Sequence, residues 1–505
     1  MATPKHTTSL GCPVHSPSTS MTAGMPGPIV LQDVHLLDKL GHFDRERIPD
    51  RVVHTKGAGA HGFFEVTDDV SAVTDAKFLN RVGKRTPVFV RFSNMVSEKG
   101  SSETVRDLRG FAIKFYTEEG IWDMSGSNSP VFFIRDPLKY PDLIHTQRRH
   151  PQTNLHDPDA YWDFLSLVPE SLHQVAMLYS DRGIPDGYCH MNGYSGHTYK
   201  FVNGKGEDRF VKFHFKTNQG IKNLTDEKAA SLAGVDPDYA TRDLFARIAK
   251  ADFPSWNVYI QIMEPEQAAA YQWNVFDVTK VWPHKDFPLQ PVGRLVLNRN
   301  PENHFAEVEQ AAFSPANLVP GIDVSWDKLL QGRLFACTDA ARYRLGANFT
   351  QIPVNAPFAT RVHNSQRDGR MAINGNGGSA QAYYRPVEES LAGADLAARD
   401  AVADTPERGV GAAAESTVAA ISAPKVDHQI VMRHRVLPSD DDFVQPGEFW
   451  RTVLGADERS RLVSRLAGSL ARTKRPIRTR VLGVIRRADA EWAAALEQRL
   501  LTPRI

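Results

Sequence analysis

Cysteine is scarce in this sequence: three occur in 505 residues, at Cys12, Cys189 and Cys337. They are widely separated and form no Cys-x-x-Cys pair, so the sequence predicts neither a disulfide framework nor a cysteine-rich zinc site. Long apolar runs are also lacking, since no stretch of about 18 apolar residues occurs, and the first residues do not resemble a secretory signal. We therefore expect a soluble cytoplasmic protein, and the C-terminal Pro503-Arg504-Ile505 does not match a peroxisomal address.

An excess of charge of one sign is absent as well. The chain has 60 basic and 59 acidic residues and a formal net charge of +1. No global field therefore favours nucleic acid or an anionic membrane surface as a partner. A hydrophobic content of 41% is enough for at least one large core.

Composition changes along the chain predict four regions. Residues 1–50 form an N-terminal arm whose beginning is too rich in Ser, Thr, Pro and Gly to make a core of its own. Residues 51–370 carry the main core, residues 371–435 form a wrapping or linker segment rich in small residues, and residues 436–505 form a C-terminal helical domain with apolar residues at helical spacing.

Short apolar and β-branched runs dominate the core region. Residues 87–92 and 130–134 are examples, and turn residues separate such runs, as is typical of antiparallel strands. Residues 160–179 and 229–250 have helical patterns. The predicted fold class is α+β, built on a large antiparallel sheet.

The segment from Phe43 to His54 joins a charged stretch to a histidine that precedes a Gly/Ala-rich run. A single histidine is more often structural than catalytic, but this string closely resembles the active-site signature of the monofunctional haem catalases. Matching blocks follow in the same order at residues 107–112, 132–136, 281–286 and 298–301. The chain is therefore identified as a divergent small-subunit member of that family, similar from about residue 27 to residue 381.

The resemblance implies an antiparallel eight-stranded β-barrel that holds haem b, with an N-terminal arm, a wrapping segment and C-terminal helices, assembled as a homotetramer. It also implies that His54 is the acid/base that moves a proton between the two oxygens of hydrogen peroxide. Ser93 would orient His54, and Val53 would narrow the access channel. Both could instead be ordinary core residues.

The resemblance assigns three arginines to the haem propionates: Arg51, Arg91 and Arg344. A guanidinium suits this task because its charge is permanent and its donors are paired. The alternative is that these arginines form surface salt bridges.

The largest departure from the family lies at the iron ligand. Haem catalases place a tyrosine phenolate under the iron, and without any gap the matching position here is Cys337. Arg333 and Arg344 lie four residues before and seven after it, so all three share one face of a helix, and Arg333 can stabilise a thiolate. Tyr343 would point away from that face. A buried free cysteine is usually inert, but here we expect an axial Cys337 thiolate.

Two further departures fall on the opposite side of the haem. Where the family has an asparagine that helps to hold peroxide, this sequence has Ser127, unless the loop shifts and Asn128 takes the role. A serine hydroxyl is shorter than an amide and should polarise peroxide less. Tyr140 replaces a phenylalanine near the haem.

Many small-subunit relatives also bind NADPH, and the resemblance extends to that site at His173, Arg182, His214, Lys216 and His284. A polar and basic set suits a phosphorylated adenosine. The alternative is that these residues are retained for packing alone. His197 and Asp327 match residues that support Arg333.

Three functions are open at this point. The leading expectation is a haem-thiolate oxidoreductase that uses hydrogen peroxide, or a related oxidant, to oxidise a small organic substrate, because a thiolate ligand favours O–O cleavage. The second is a catalase that disproportionates hydrogen peroxide to water and dioxygen. The third is a non-enzymatic haem-binding or sensing protein.

Overall fold

The structure, a computed structural model, describes residues 6–373, Tyr383 and residues 441–501. It divides into two compact units, Met1–Asp50 and Arg51–Ile505. In the first unit, helix α1 (Val34–Phe43) begins after Asp33, whose carboxylate accepts a hydrogen bond from the backbone N–H of Leu36 at 3.1 Å. None of the residues of α1 is buried.

The second unit is built on one antiparallel sheet. Its strands, in chain order, are β1 (Gly57–Val66), β2 (Arg85–Asn94), β3 (Arg109–Thr117), β4 (Gly120–Ser127), β5 (Gly193–Tyr194), β6 (Tyr199–Val202), β7 (Asp208–Thr217), β8 (Ser255–Met263), β9 (Gln290–Arg299) and β10 (Ile322–Val324). The sheet runs β7-β5-β4-β3-β2-β1-β9-β8, and pairing of β7 with β8 closes it. The predicted eight-stranded barrel is confirmed, and β6 and β10 extend it beside β7.

The alternation of side chains along β2 separates the core from the site. Val88, Val90 and Phe92 are buried in the apolar core of the barrel. Because successive side chains of a strand point to opposite faces, Arg91 and Ser93 point away from that core. Arg91 and Ser93 are therefore placed together on the other face of the strand.

The helices of the second unit are α2 (Tyr140–Gln147), α3 (Pro158–Leu167), α4 (Leu172–Tyr179), α5 (Asp226–Val235), α6 (Tyr239–Ala249), α7 (Pro265–Ala270), α8 (Lys328–Leu345), α9 (Asp441–Glu448), α10 (Ala456–Leu470), α11 (Arg475–Ala488) and α12 (Ala490–Leu501). The last four confirm the predicted C-terminal helices. They pack on α3 and α4 through a shared apolar cluster, and the indole N–H of Trp162 donates to Ser469 Oγ at 2.9 Å.

Two predicted helices are each divided in the structure. The pattern over residues 160–179 forms α3 and α4, and the pattern over residues 229–250 forms α5 and α6. The breaks come at Val168 and Asp236, the residues that precede Pro169 and Pro237. Proline forces the residue before it out of the helical conformation, and ψ is 74° at Val168 and 80° at Asp236.

The strand predicted at residues 130–134 is wrong. Val131, Phe133 and Ile134 are buried in the cluster with the C-terminal helices, and the backbone N–H of Phe132 donates to the carbonyl of Val278. A short apolar run is compatible both with a strand and with a buried segment that has no regular structure. Composition alone therefore did not distinguish these two alternatives.

Most of the predicted wrapping segment, residues 371–435, lies outside the described residues. In residues 6–373 and 441–501, no helix has the length and apolar character needed to cross a membrane.

A fully buried ion pair joins β3 to β4. Lys114 and Asp123 lie directly opposite in register, their side chains are 1% and 0% exposed, and Nζ lies 2.8 Å from Oδ1. We expect Lys114→Met to lower the free energy of unfolding by about 3–5 kcal/mol, because it leaves a carboxylate buried without its cation. Urea denaturation would measure the change. The matched control is Lys84→Met, which removes a partly exposed pair with Glu118 and should cost about 1 kcal/mol or less; equal losses in the two variants would contradict the prediction.

Candidate active site

His54 stands immediately before β1 in an uncommon backbone conformation. Its φ is +61°, in the left-handed region that non-glycine residues seldom adopt. Its backbone N–H donates to Met95 at 2.8 Å, and its carbonyl accepts from Arg91 Nη1 at 2.8 Å. These bonds hold the strained turn, and strain of this kind is concentrated at functional sites.

The imidazole of His54 is fixed by a neighbouring hydroxyl. Its Nδ1 lies 2.9 Å from Ser93 Oγ. Burial, followed by the positive charges of Arg91, Arg333 and Arg51, lowers the pKa of His54 to about 3. The imidazole is therefore neutral at physiological pH and can accept a proton.

A row of small residues crosses the sheet beside this histidine. Gly57, Ser93, Gly110 and Ser127 lie directly opposite one another on β1 to β4. A Cβ at Gly110 would lie 2.4 Å from Ser93 Oγ and 2.8 Å from Nδ1 of His54. Glycine is required there because any side chain would displace the histidine and its partner.

Ser127, the last residue of β4, and Asn128, which follows it, have different partners. The amide of Asn128 is engaged elsewhere: its Oδ1 accepts from the backbone N–H of Arg109 at 2.9 Å and its Nδ2 donates to the carbonyl of Arg182 at 3.3 Å. The hydroxyl of Ser127 donates to the carbonyl of Ser129 at 2.9 Å. Ser127 therefore stands in the row with Gly110, whereas Asn128 is held by other partners.

The three arginines predicted for the propionates converge. Nη2 of Arg51 donates to the carbonyls of Val308, Glu309 and Ala311 at 3.0, 2.7 and 2.8 Å, and Nη2 of Arg344 donates to the Glu309 carbonyl at 3.0 Å. Burial, Arg91 and Arg344 together lower the pKa of Arg51 well below its usual value. Arg51 and Arg344 therefore lie close together through their shared partner Glu309, and grouped guanidinium groups are suited to binding anions.

Glu309 is a member of this cluster that the sequence did not reveal. Its carboxylate lies 3.4 Å from Nη1 of Arg51 and 3.2 Å from Nη2 of Arg344. It ends a π-helical turn, Phe305–Glu309. A carboxylate is the usual partner of buried arginines, but 258 residues separate it from Arg51, so no local pattern pointed to it.

Helix α8 carries Cys337 and the residues around it. Asp327 caps the helix by accepting from the backbone N–H of Leu330 at 3.0 Å, and it binds Nδ1 of His197 at 2.7 Å. Nη1 of Arg333 donates to Nε2 of His197 at 2.7 Å. Asp327 and His197 thus fix the guanidinium of Arg333 from behind.

Arg333 and Cys337 lie one turn apart on the shared face of α8. Burial by itself would lower the pKa of Arg333, but Cys337, followed by Tyr199 and Tyr140, raises it above its ordinary value. Tyr343 is 76% exposed on another face of the helix. Of the two candidate iron ligands on α8, Cys337 and Tyr343, only Cys337 thus lies on the same face as Arg333.

Aromatic and apolar residues complete the lining. Tyr140 stacks on Phe132 with ring centroids 6.3 Å apart, and burial raises the pKa of Tyr140 to about 12. Val53 packs on the same cluster of apolar residues. Tyr199, a second buried phenol within electrostatic reach of Arg333 and Cys337, was not singled out from the sequence.

This donor set fits a haem. A haem needs an axial donor for its iron, cations for two carboxylates and an acid/base group for reactions at the metal. Cys337, the three arginines and His54 supply these in turn. One donor supports the fit directly: Nε of buried Arg91 has no hydrogen-bond partner among the described residues, and such a buried donor normally has one.

The residues matched to the nucleotide site fall into two groups. His173 and Arg182 both contact Phe449, with ring centroids 6.1 Å apart for His173 and the guanidinium carbon 5.6 Å from the ring centroid for Arg182. His214 and His284 have ring centroids 5.6 Å apart. Lys216 lies within electrostatic reach of both histidines of the second group.

The buried histidines give the protein a defined response to acid. Burial lowers the pKa of His54 and His214 to about 3 and that of His173 to about 4. Between these values and the unfolded value of about 6.5, the unfolded chain binds more protons, so stability falls as pH falls. We expect each histidine to cost about 2 kcal/mol of unfolding free energy between pH 7 and pH 4.5.

Urea denaturation across this pH range would measure the loss, and His214→Gln should flatten the profile. A profile that is unchanged in the variant would contradict the assignment of His214 as a buried neutral group.

The sequence of this chain matches those of known proteins over nearly its whole length. The family model described as Catalase matches residues 7–390, and the model described as Catalase-related immune-responsive matches residues 437–500. The chain is 53% identical to the peroxisomal catalase of Toxoplasma gondii, over 99% of this chain and 96% of that protein. It is 53% identical to a catalase of Methanosarcina barkeri, over 98% of this chain and 93% of that protein.

A solved structure shows the same fold. Catalase A from Saccharomyces cerevisiae aligns with a TM-score of 0.87 and 43% identity, covering 98% of this chain and 99% of that chain.

These comparisons correct the leading expectation for the reaction. The expected oxidation of a small organic substrate by a haem-thiolate enzyme is wrong, because relatives at about half identity over nearly the whole chain are named catalase. The cysteine at position 337 suggested another chemistry, but one residue does not outweigh an identity of 53% over nearly the whole chain.

Proposed function

This chain belongs to the catalase family, and on that premise we propose that it disproportionates hydrogen peroxide to water and dioxygen. The observation that carries the proposal is the His54–Ser93 pair, with a neutral imidazole held 2.9 Å from its hydroxyl partner and close to the cluster of arginines. Two molecules of peroxide react in turn, the first being reduced to water and the second oxidised to dioxygen.

We assign Cys337 as the ligand of the haem iron, and Arg51, Arg91 and Arg344 as the partners of the haem propionates. Arg333, four residues before Cys337 on α8, would place a fixed positive charge on the same helix face as this ligand. When bound, haem would supply the two electrons that reduce the first peroxide and would regain two from the second.

His54 performs the proton transfer. Its neutral imidazole takes the proton from one peroxide oxygen and gives it to the other, so that the departing oxygen leaves as water. Ser93 keeps the ring in one orientation through Nδ1, which leaves Nε2 for the peroxide. The low pKa of His54 keeps this base available throughout the physiological range.

Ser127 contributes less than the asparagine of the family. Its proton is given to the carbonyl of Ser129 at 2.9 Å, so the hydroxyl offers lone pairs rather than a donor to peroxide. Polarisation of peroxide then rests mainly on His54. Val53 and Tyr140 shape the approach to it, and both pack on the apolar cluster beside the site.

We propose NADPH as a second cofactor, at His173, Arg182, His214, Lys216 and His284. Support comes from the basic side chains of Arg182 and Lys216 and from Nδ1 of buried His214, which has no hydrogen-bond partner among the described residues. We also propose a homotetramer, the assembly that the family resemblance implies.

Oxygen evolution from hydrogen peroxide by the haem-loaded chain, recorded with an oxygen electrode, tests the proposal. We expect two peroxide molecules to be consumed for each dioxygen released. Haem incorporation without oxygen release would overturn the proposal and favour a haem-binding or sensing protein.

A further inference from the structure

Glu309 lies at the centre of the arginine cluster. Its side chain is 8% exposed and approaches Arg51 at 3.4 Å and Arg344 at 3.2 Å. Its backbone carbonyl accepts from both guanidinium groups, at 2.7 and 3.0 Å. One residue thus fixes two of the three arginines through four contacts.

The arginine cluster and Glu309 together have a net positive charge. Arg51, Arg91 and Arg344 contribute three positive charges and Glu309 contributes one negative charge, which leaves two positive charges. Burial would raise the pKa of Glu309, but the three arginines together lower it, so the carboxylate is ionised at neutral pH.

Two other titratable groups face Glu309. Lys99 is on the exposed surface, where solvent and salt screen its charge. Burial lowers the pKa of His304, so this histidine is neutral near pH 7. Neither changes the net charge of the buried cluster.

We propose that Glu309 is a positioning residue of the haem site, which orients Arg51 and Arg344 and sets the cluster at the net charge that two ionised propionates neutralise. The inference rests on the proposed haem, whose carboxylates are two in number. Without Glu309, three buried guanidinium groups would face two carboxylates and leave an unpaired positive charge. Such a charge is costly in a buried site.

The cluster also reaches the catalytic histidine. Arg91 donates to the carbonyls of His54 and Thr55 at 2.8 and 3.1 Å, and its charge interacts with Glu309. The charge set by Glu309 therefore acts on the backbone that holds His54 as well as on the cofactor.

The test is a charge cycle on the haem-loaded protein, with the midpoint potential of the ferric/ferrous couple measured by spectroelectrochemistry at pH 7. E309Q removes the negative charge and makes the net charge of the cluster more positive by one. The potential should move to more positive values, because the ferrous iron carries less positive charge than the ferric iron and is repelled less by the cluster. R51Q should move it to more negative values. The double variant R51Q/E309Q restores two positive charges and should return the potential close to that of the unchanged chain.

The matched control is E307Q on the same π-helical turn, where Glu307 pairs with His61 instead; its potential should not move. If E309Q fails to fold, E309D keeps the charge and should retain the original potential. Equal potentials in E309Q and the unchanged chain, or single and double variants that all shift the same way, would overturn the proposal. Failure of the proposed function is distinguishable, since it appears as absent oxygen evolution in the unchanged chain.

Discussion

Replacement of His54 by glutamine should lower the rate of oxygen evolution from hydrogen peroxide by about 10²–10⁴-fold, the usual contribution of a positioned acid/base group. The glutamine side chain is of similar length and can form hydrogen bonds, but it cannot accept and return a proton at neutral pH. Because His54 does not hold the proposed cofactor, haem content should be unchanged. The oxygen electrode gives the rate and the haem absorbance gives the content.

Two further variants serve as comparisons for His54→Gln. Ser93→Ala keeps the imidazole but removes its partner at 2.9 Å, so we expect a smaller loss than in His54→Gln. His61→Gln changes a histidine seven residues later, whose partner is Glu307, and should leave the rate unchanged. Full activity in His54→Gln would show that peroxide is activated without this residue.

The second large effect concerns Cys337. The dithionite-reduced, carbon-monoxide-bound protein should show the Soret band of a haem-thiolate complex, and Cys337→Ala should lose that band entirely. The reason is that α8 carries this side chain on the same face as Arg333, and we assign it as the iron ligand. Cys337→Tyr restores the ligand type of the family and should keep oxygen evolution while losing the thiolate spectrum.

The chain offers matched controls for this experiment. Cys12 is exposed and Cys189 is buried elsewhere, with a thiol pKa raised by burial, so Cys12→Ser and Cys189→Ser should leave the spectrum as it was. Tyr343→Phe, on the exposed face of α8, should do the same. If the unchanged chain and Cys337→Ala had the same spectrum, another residue would ligate the iron.

Local sequence patterns were reliable where one short segment decides its own structure. The strand over residues 87–92 and the C-terminal helices were predicted correctly, because apolar periodicity is a property of consecutive residues. The helical spacing of Arg333, Cys337 and Arg344 was likewise sufficient to place them on one helix. The two divided helices show the limit of apolar periodicity. Periodicity alone does not report that Pro169 and Pro237 force the residue before each of them out of the helical conformation.

Long-range pairing was beyond such patterns. The strand wrongly predicted at residues 130–134 was an apolar run whose backbone partner, Val278, lies far along the chain. The position of Glu309 between Arg51 and Arg344, and the need for glycine at Gly110, arise from contacts between distant segments. No composition or spacing rule reports them.

The sequence by itself determined the family and the closed antiparallel barrel, because these follow from residue identity in ordered motifs. Only the tertiary structure decided the charge state of His54, the partners of Ser127 and Asn128, and the charge of the arginine cluster. The physical reason is that pKa values and hydrogen bonds depend on burial and on neighbours brought together by folding, and these neighbours come from segments as far apart as β1, the turn at Glu309 and α8.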